Sequence, residues 1–237
     1  MHAIILAGGK GTRLRPYTTV LPKPLMPVGE FPIIEILIRQ LKYHGIKNIT
    51  IAVGHLASLI EAYCGNGKKW GVDITYSYEK KPLGTAGPLA LVKRFNSTTL
   101  VMNGDLLTNL NFSKMVDFHR ENSPIVTIGM YNREEKINLG VLKTDTSNKI
   151  LDYVEKPANY YKVSMGIYVV EPDALNYIKK DKWLDFPDLI KLLIRKQQKV
   201  LGYLCECFWL DIGRIDDYEV ALNKFEELKS SLLPGIK

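Results

Sequence analysis

The first thirty residues contain a glycine-rich turn with two cations close by. A short apolar run, Ala3 to Leu6, leads into a turn with three glycines between positions 8 and 11, and Arg13 and Lys23 follow. Glycine lets the backbone approach a ligand closely, because it has no Cβ and adopts positive φ at little cost. Successive N–H groups in such a turn form an anion site, and the two side chains add fixed positive charge. The stretch therefore predicts a phosphate-handling loop.

Two common phosphate-binding motifs do not fit this turn. A P-loop requires Ser or Thr directly after its Gly-Lys pair to hold Mg²⁺, whereas Gly9-Lys10 is followed by Gly11. A dinucleotide-binding fingerprint requires a glycine three residues after Gly11, but position 14 is Leu. A turn that only connects a strand to a helix is the weaker interpretation, because it would not explain the neighbouring Arg and Lys.

Two aspartates that lie far apart in the chain are candidate ligands for a metal ion. Asp105 ends the stretch Met-Asn-Gly-Asp and Asp211 lies in Trp-Leu-Asp-Ile-Gly-Arg, each just past a predicted strand. Magnesium in phosphate-handling sites typically takes one or two carboxylates together with phosphate oxygens. The pair therefore predicts a Mg²⁺ cofactor. A turn after Gly104 and a cap on the last helix are the simpler explanations for Asp105 and Asp211, respectively.

The stretches between these candidates predict strands and helices in alternation. Apolar residues recur with a helical period from Ile33 to His44. The further predicted elements are strand Ile49–Val53, helix Leu56–Cys64, strand Ile74–Tyr78, a helix reaching Phe95, and strand Thr99–Met102. Such alternation predicts an α/β fold, a three-layer, doubly wound, mostly parallel sheet with its ligand crevice at the carboxyl ends of the strands. Gly8–Arg13, Glu79–Thr85 and Asp105 all fall at such ends.

The second half of the chain has a different pattern. Its predicted strands are Ile125–Tyr131, Gly140–Lys143, Lys149–Val154 and Lys162–Val170, which we expect to form a small mixed β lobe over one side of the crevice. The elements predicted after them are helix Pro172–Ile178, helix Phe186–Lys196 with Asp185 as its N-cap, strand Val200–Cys205 and helix Ile215–Lys229.

Composition and charge narrow the class of protein. With 46% hydrophobic and 24% charged residues, the chain has the balance of a soluble globular protein. It has no run of 18 apolar residues and no positively charged segment before a cleavable apolar stretch, so we expect no membrane partner and a cytoplasmic location. A net charge of +7 fits anionic partners in general. The paired lysines lack interleaved aromatic residues, so we expect no nucleic-acid partner.

The positions of the cysteines and tryptophans in the sequence favour structural roles for these residues. Cys64, Cys205 and Cys207 lack the spacing of a metal site and predict ordinary reduced thiols. Trp70, Trp183 and Trp209 are predicted to be core or lid residues rather than platforms on which a base would stack.

The opening motifs resemble those of a known family. Leu6 to Pro16 is L-A-G-G-K-G-T-R-L-R-P and Pro22 to Pro27 is P-K-P-L-M-P. These resemble the signature of the sugar-1-phosphate nucleotidyltransferases, or nucleotide-sugar pyrophosphorylases, and the resemblance extends to about Tyr218. It implies a Rossmann-like fold of GT-A type and a Mg²⁺-dependent transferase of nucleotide-sugar biosynthesis, which supplies polysaccharide precursors. Its partners would be an NTP and a sugar 1-phosphate, and the resemblance leaves homo-oligomer formation open.

The resemblance also implies roles for individual residues. Arg13 and Lys23 would act in catalysis on the triphosphate and pyrophosphate, and Asp105 and Asp211 would bind the metal. The sugar-phosphate residues would be Gly140, Glu155 and Lys156, together with Ser164, which stands where many family members have an asparagine. The nucleotide-binding residues would be Leu6, Ala7, Gly8, Gly9, Gly11, Thr12, Arg13, Glu79, Gly84, Thr85 and Asn103. We therefore expect a single domain at 1–237, with a nucleotide-binding half at 1–124, a sugar-binding half at 125–214, and a terminal helix and tail at 215–237.

The base preference predicted from these residues is for GTP. Leu83 to Gly87, L-G-T-A-G, resembles the guanylyltransferase branch of the family. Glu79 accepts hydrogen bonds only, and guanine offers two adjacent donors, whereas uracil and thymine present one N–H between two carbonyls. The alternative is that Glu79 points to solvent beside Lys80 and Lys81. A thymidylyl- or uridylyltransferase, or a non-catalytic paralogue that binds nucleotide sugars, remains the competing interpretation of the whole chain.

Overall fold

The described residues form thirteen strands and five α-helices, and the loops between these elements contain the predicted site residues. The computed structural model describes residues 1–93 and 95–235. The strands are β1 His2–Ala7, β2 Pro27–Val28, β3 Phe31–Pro32, β4 Asn48–Val53, β5 Asp73–Tyr78, β6 Thr99–Asn103, β7 Leu106–Thr108, β8 Val126–Lys136, β9 Val141–Thr144, β10 Ile150–Val154, β11 Ala158–Val170, β12 Val200–Cys205 and β13 Trp209–Asp211. The helices are α1 Ile33–Tyr43, α2 Ala57–Cys64, α3 Phe112–Asn122, α4 Phe186–Arg195 and α5 Ile215–Leu232.

The central sheet has seven strands in the order β12-β8-β11-β6-β1-β4-β5. Strands β6, β1, β4 and β5 are parallel to one another, and β12 is parallel to β8. Strand β11 is antiparallel to both of its neighbours, β6 and β8. The expected α/β fold with a mostly parallel sheet is therefore confirmed.

Apolar residues on both faces of the sheet build two cores. Along β1, Ala3 and Ile5 belong to one core while Ile4 belongs to the other, as the period of two in a strand requires. The first core includes residues of α1, α2, α3 and α5, and the second includes residues of α4. Strand β1 is buried on both faces. The turn that follows it lies at the carboxyl end of the sheet, where a ligand can reach it.

A short antiparallel pair joins the middle of the chain to its last third. Strands β7 and β13 pair in the register Thr108 to Trp209, Leu107 to Leu210 and Leu106 to Asp211. The Ile212 N–H also donates to the Asp105 carbonyl at 3.1 Å. This pairing brings Asp105 and Asp211 side by side although half of the chain separates them.

An arm extends beyond the central sheet. Strands β8 and β11 continue as a two-stranded ribbon, with Lys136 opposite Ala158, and the hairpin of β9 and β10 follows at its end. Its apolar side chains, among them Leu139, Leu142, Leu151 and Tyr153, are exposed. The predicted small lobe therefore forms as an arm with both faces open.

The helix predicted at Pro172–Ile178 is a 3-10 helix at Pro172–Tyr177. Three further local features of the fold differ from the sequence analysis. The helix expected to reach Phe95 is a 3-10 helix at Gly87–Leu91, preceded by Gly84 at a φ of 80°, and position 94 lies outside the described residues. Helix α3 was not predicted, although Asn111 caps it by accepting from the Lys114 N–H at 3.0 Å.

The third difference concerns the cysteines. Cys205 and Cys207 form a disulfide, so the expectation of reduced thiols is wrong for this pair, while Cys64 is free and buried. The pair meets because β12 ends at Cys205 and the chain bends before β13.

No helix in the described ranges combines the length and apolar character needed to cross a bilayer.

Candidate active site

The loops that follow β1, β5 and β6 surround one cleft of about 430 Å³, which β13 closes on one side. Each predicted nucleotide-binding, catalytic and metal-binding residue lines it: Leu6, Ala7, Gly8, Gly9, Gly11, Thr12, Arg13, Lys23, Glu79, Gly84, Thr85, Asn103, Asp105 and Asp211. The structure thus brings together residues from four separate parts of the chain. Their roles stay predictions, but their shared location is a structural fact.

The glycine turn fits tightly between its neighbours. A Cβ on Gly8 would lie 2.2 Å from Glu79 Oε1, so a side chain there would displace the carboxylate. Gly11 has a φ of 61°, which favours glycine, and its carbonyl accepts from the Thr18 hydroxyl at 2.7 Å. The Gly8 carbonyl accepts from the His55 N–H at 3.2 Å. These contacts pin the turn, while the Cβ position of Gly9 faces open space.

Lys23 lies between the two predicted metal ligands. Its Nζ contacts Asp105 Oδ2 and lies 3.8 Å from Asp211 Oδ1, and its side chain is only 9% exposed. Burial raises the pKa of the Asp211 carboxyl, and the nearby Asp105 charge raises it further, while Lys23 and Arg13 lower it. The cluster is therefore a tightly spaced set of two acids and one base at the floor of the cleft.

The two carboxylates have unused capacity for a cation. Asp105 Oδ1 and Asp211 Oδ1 are both buried and have no hydrogen-bond partner among the described residues. Buried acceptors of this kind are costly unless something satisfies them. No cluster of three or more His, Cys, Asp or Glu in residues 1–93 and 95–235 could hold a metal by itself, so phosphate oxygens and water would complete the coordination. The donor set fits Mg²⁺.

The simpler explanation for Asp211 does not agree with the structure, whereas Asp105 does lie with Gly104 in the turn between β6 and β7. Asp217, not Asp211, caps helix α5, because its Oδ2 accepts from the Gly213 N–H at 3.1 Å and the Arg214 N–H at 2.8 Å. Asp105 directs Oδ2 at Lys23. Both carboxylates are consequently available to a ligand in the cleft.

Arg13 is the second cation of the site. Its side chain is exposed, and its two terminal nitrogens lie 3.5 Å from the position that a Cβ on Gly213 would occupy. The guanidinium therefore lies over the turn between β13 and α5, close to Asp211. An anion that enters the cleft would meet Arg13 on this side and Lys23 at the floor.

Glu79 lies inside the cleft, not in solvent. One carboxylate oxygen, Oε2, accepts from the Leu83 N–H at 2.9 Å, and the other lies against Gly8. Burial raises the pKa of the Glu79 carboxyl, although the Leu83 N–H opposes this. The alternative of a solvent-facing Glu79 beside Lys80 and Lys81 is therefore wrong.

Asp185 has a different partner from the one expected. Its Oδ1 accepts from the Thr85 N–H at 2.9 Å and from the Thr85 hydroxyl at 3.2 Å, and no side-chain bond caps α4. The Thr85 hydroxyl oxygen accepts from the Phe186 N–H at 2.8 Å instead. Asp185 is the N-cap residue of α4, as predicted, but its side chain makes no capping hydrogen bond, because its carboxylate is turned toward the loop after β5.

Two polar or aromatic residues, Trp183 and Asp185, are among the cleft residues that the sequence analysis did not assign to the site. Trp183 and Asp185 both line it, although the first was assigned to the core or a lid and the second to a helix cap. They come from the second half of the chain and pair with a loop of the first half. The sequence around residue 183 has no local pattern that would predict this pairing.

The four predicted sugar-phosphate residues do not line the cleft. Gly140, Glu155 and Lys156 lie on the arm, where Tyr153 donates to Glu155 Oε2 at 3.0 Å and a Cβ on Gly140 would meet the Tyr153 hydroxyl. Ser164 lies at the irregularity in β11, with its hydroxyl 3.3 Å from the Tyr168 hydroxyl. The long ribbon of β8 and β11 accounts for this, because it carries the hairpin away from the carboxyl edge of the sheet.

The comparison with known proteins gives a consistent set of relatives. A family model described as nucleotidyl transferase matches residues 2–227. A UTP–glucose-1-phosphate uridylyltransferase of Synechocystis is 36% identical over 100% of this chain and 67% of its own. A mannose-1-phosphate guanyltransferase of Saccharomyces cerevisiae is 34% identical over 92% of this chain and 63% of its own. The chain thus spans about two thirds of the length of these curated relatives.

A solved structure from Bacillus anthracis, provisionally named a glucose-1-phosphate thymidylyltransferase, also matches. It has a TM-score of 0.76 and 27% identity, over 100% of this chain and 96% of that one. The names of the three relatives include three different bases, so they agree on a reaction class and not on a nucleotide.

Proposed function

The chain belongs to the nucleotidyl transferase family, and from this premise we propose that it transfers a nucleoside monophosphate from an NTP to a sugar 1-phosphate. An oxygen of the sugar phosphate attacks the α-phosphorus, and the bond from that phosphorus to the bridging oxygen breaks. The products are an NDP-sugar and pyrophosphate. Such a reaction needs positioning and charge neutralisation more than covalent chemistry.

The observation that carries this proposal is the meeting of a glycine turn, two cations and two carboxylates in one cleft. The turn after β1 offers closely approachable backbone, and Arg13 and Lys23 neutralise charge on the departing pyrophosphate. Asp105 and Asp211 would hold Mg²⁺ through their unpartnered oxygens. A bound Mg²⁺ supplies positive charge to the phosphate oxygens as negative charge develops. The residues that a non-catalytic paralogue would be expected to lose are all present.

We favour GTP as the nucleotide. Glu79 Oε1 lies over Gly8 and has an acceptor site available, and Oε2 accepts from a single N–H. Each carboxylate oxygen accepts more than one hydrogen bond, so Glu79 has room for the two adjacent donors of guanine. Uracil and thymine would bring a carbonyl against the same carboxylate. A well-placed pair of this kind discriminates by about ten- to a hundredfold in kcat/KM.

A matrix of nucleotides against sugar 1-phosphates tests the proposal directly. Purified protein with MgCl₂ is given GTP, UTP, dTTP, CTP or ATP with each sugar 1-phosphate, and pyrophosphate release is measured. We expect release that depends on both substrates and is fastest with GTP. Release with UTP or dTTP at least equal to that with GTP would overturn the base preference alone. Nucleotide binding without release in any combination would instead support the non-catalytic paralogue.

A further inference from the structure

Trp183 lines the cleft next to a segment that bonds to the loop after β5, whereas the predicted metal ligand Asp105 follows β6. Glu79 follows β5, the glycine turn follows β1 and Asp105 follows β6, so the sheet order β6-β1-β4-β5 spreads these loops along one edge. Three strand spacings separate β6 from β5, or about 14 Å in total. A nucleotide with its phosphates at the aspartates therefore extends its base toward the loop after β5.

The segment before α4 is attached to that loop by main-chain hydrogen bonds. The Leu184 N–H donates to the Leu83 carbonyl at 2.9 Å, and the Leu184 carbonyl accepts from Ala86 and Gly87 at 2.9 and 3.0 Å. A Cβ on Gly84 would lie 2.6 Å from the Leu184 carbonyl oxygen. Residue 183 is therefore held beside the same loop that contains Glu79, although 104 positions separate Trp183 from Glu79 in the sequence.

The indole of Trp183 is exposed but not free to turn. Its side chain is 61% exposed and lines the cleft, while its Nε1–H donates to Asp185 Oδ2 at 3.2 Å. Asp185 Oδ1 is in turn fixed by Thr85. A large apolar surface that faces a polar cleft, with its polar atom already satisfied, is suited to contact with a flat ligand group. The hydrogen bond to Asp185 reduces the entropy that the ring would lose on binding.

We propose that Trp183 forms the wall of the base subsite and contacts the face of the purine, while Glu79 contacts the base edge. Asp185 is a positioning residue that holds both Trp183 and the Gly84-Thr85 turn. This inference rests on the proposed function, since it assigns a residue to the base of the nucleotide. Stacking of a base on an aromatic side chain contributes about 1–3 kcal/mol, or roughly ten- to a hundredfold in affinity.

Binding measurements with two probes test this assignment. GTP and inorganic tripolyphosphate are titrated separately into wild-type protein and the Trp183→Leu variant, with MgCl₂ and without sugar phosphate, by calorimetry. We expect Trp183→Leu to raise the Kd for GTP at least about tenfold and to leave the Kd for tripolyphosphate within about twofold. Unchanged binding of tripolyphosphate also shows that the variant is folded.

Two further variants sharpen the test. Trp183→Phe retains an aromatic face and is expected to restore most of the GTP affinity. Tyr43→Leu removes another exposed aromatic ring, 60% exposed and outside the cleft, and is expected to leave both Kd values unchanged. Equal losses of GTP and tripolyphosphate affinity in Trp183→Leu, or no loss of GTP affinity, would overturn the inference. Wild-type protein that binds no NTP would instead refute the proposed function.

The positioning role of Asp185 has a separate measurement. Asp185→Asn keeps an acceptor for the Thr85 N–H, but places an N–H₂ group in the carboxylate site that now serves both Thr85 and Trp183. We expect a higher KM for GTP with kcat retained and a shift in the fluorescence emission of Trp183. A variant with an unchanged KM and an unchanged emission spectrum would contradict this role.

Discussion

At the scale of single residues, the proposed nucleotidyl transfer depends on the position of Lys23 beside two carboxylates. It contacts Asp105 and lies within 4 Å of Asp211, so it offsets the repulsion between two acids that share a small buried volume. The same ammonium faces the cleft where the leaving pyrophosphate would lie. One side chain therefore stabilises the two neighbouring carboxylates and would stabilise the proposed transition state.

We expect Asp105→Asn and Asp211→Asn each to lower kcat by at least about 10²-fold, because loss of a metal ligand removes charge stabilisation from the transition state. Asparagine keeps the size of the side chain, so circular dichroism should show a folded protein. Turnover is measured at saturating MgCl₂, with Asp117→Asn on the exposed side of α3 as a control. Near wild-type turnover in either variant would remove that aspartate from the metal site.

Glu79 predicts a pH dependence of base selectivity. Its pKa is raised by burial, so the carboxyl gains a proton at a higher pH than an ordinary glutamate does. The protonated form has an O–H that donates to a uracil carbonyl, which the carboxylate repels. The ratio of kcat/KM for GTP to that for UTP should therefore fall as the pH is lowered.

The ratio is measured from about pH 8 to about pH 4, a range that spans the ordinary glutamate value and values raised above it. Titration of the triphosphate and of Asp211 affects both nucleotides and cancels in the ratio. Glu79→Gln should lower the ratio by about ten- to a hundredfold and make it independent of pH. A wild-type ratio that stays constant over this range would show that Glu79 does not contact the base edge.

At the scale of secondary-structure elements, the arm of β9 and β10 is separate from the cleft, because none of its residues lines the cleft. Lys156 and Glu155 lie on it, exposed and 3.8 Å apart. If Lys156 contacts the sugar phosphate, the arm must lie over the cleft in the complex. Exposed apolar residues on the arm, such as Leu142 and Leu151, would then be covered.

Lys156→Ala should raise the KM for the sugar 1-phosphate at least about tenfold and change the KM for the NTP little, because a charge-assisted contact to phosphate is lost. Lys143→Ala is the matched control, since Lys143 is an exposed lysine of the same arm that pairs with Asp152 at 3.3 Å. Initial rates with each substrate varied separately decide the matter. An effect confined to the NTP would place Lys156 elsewhere.

The limits of the parallel strands that lead into the cleft were predicted better than the elements that pack around it. Strands β1, β4, β5 and β6 are within one or two residues of their expected limits, because each is a short apolar run bounded by turns. The helix expected to reach Phe95 is shorter than predicted, a 3-10 helix at Gly87–Leu91. The β7–β13 pair and the contact of Asp185 with Thr85 depend on long-range pairing, which local periodicity does not encode.

At the scale of the whole molecule, the charge balance matches the proposed substrates. The chain has a net charge of +7, and an NTP and a sugar phosphate are both anions. Such a field raises the local concentration of anionic ligands and is screened by salt. Lysines outside the cleft, other than Lys156, would therefore contribute to capture of the proposed substrates without touching them.

Substrate capture should consequently depend on ionic strength. Between about 0.05 M and about 0.3 M KCl, the KM for the NTP should rise severalfold while kcat changes less, since screening acts mainly on approach. Free Mg²⁺ is held constant, and sucrose at equal osmolality serves as the control. A KM that is insensitive to salt would restrict the electrostatic contribution to Arg13 and Lys23.

The pairing of β7 with β13 also sets an order of events while the chain is being synthesised. The ribosome synthesises the chain from its N-terminus, so the glycine turn, Glu79 and Asp105 are all made well before Trp209–Asp211. Until β13 emerges, β7 lacks its partner and Asp105 lacks the second carboxylate. A chain that terminates between these strands would retain the nucleotide-binding loops but lack half of the metal site.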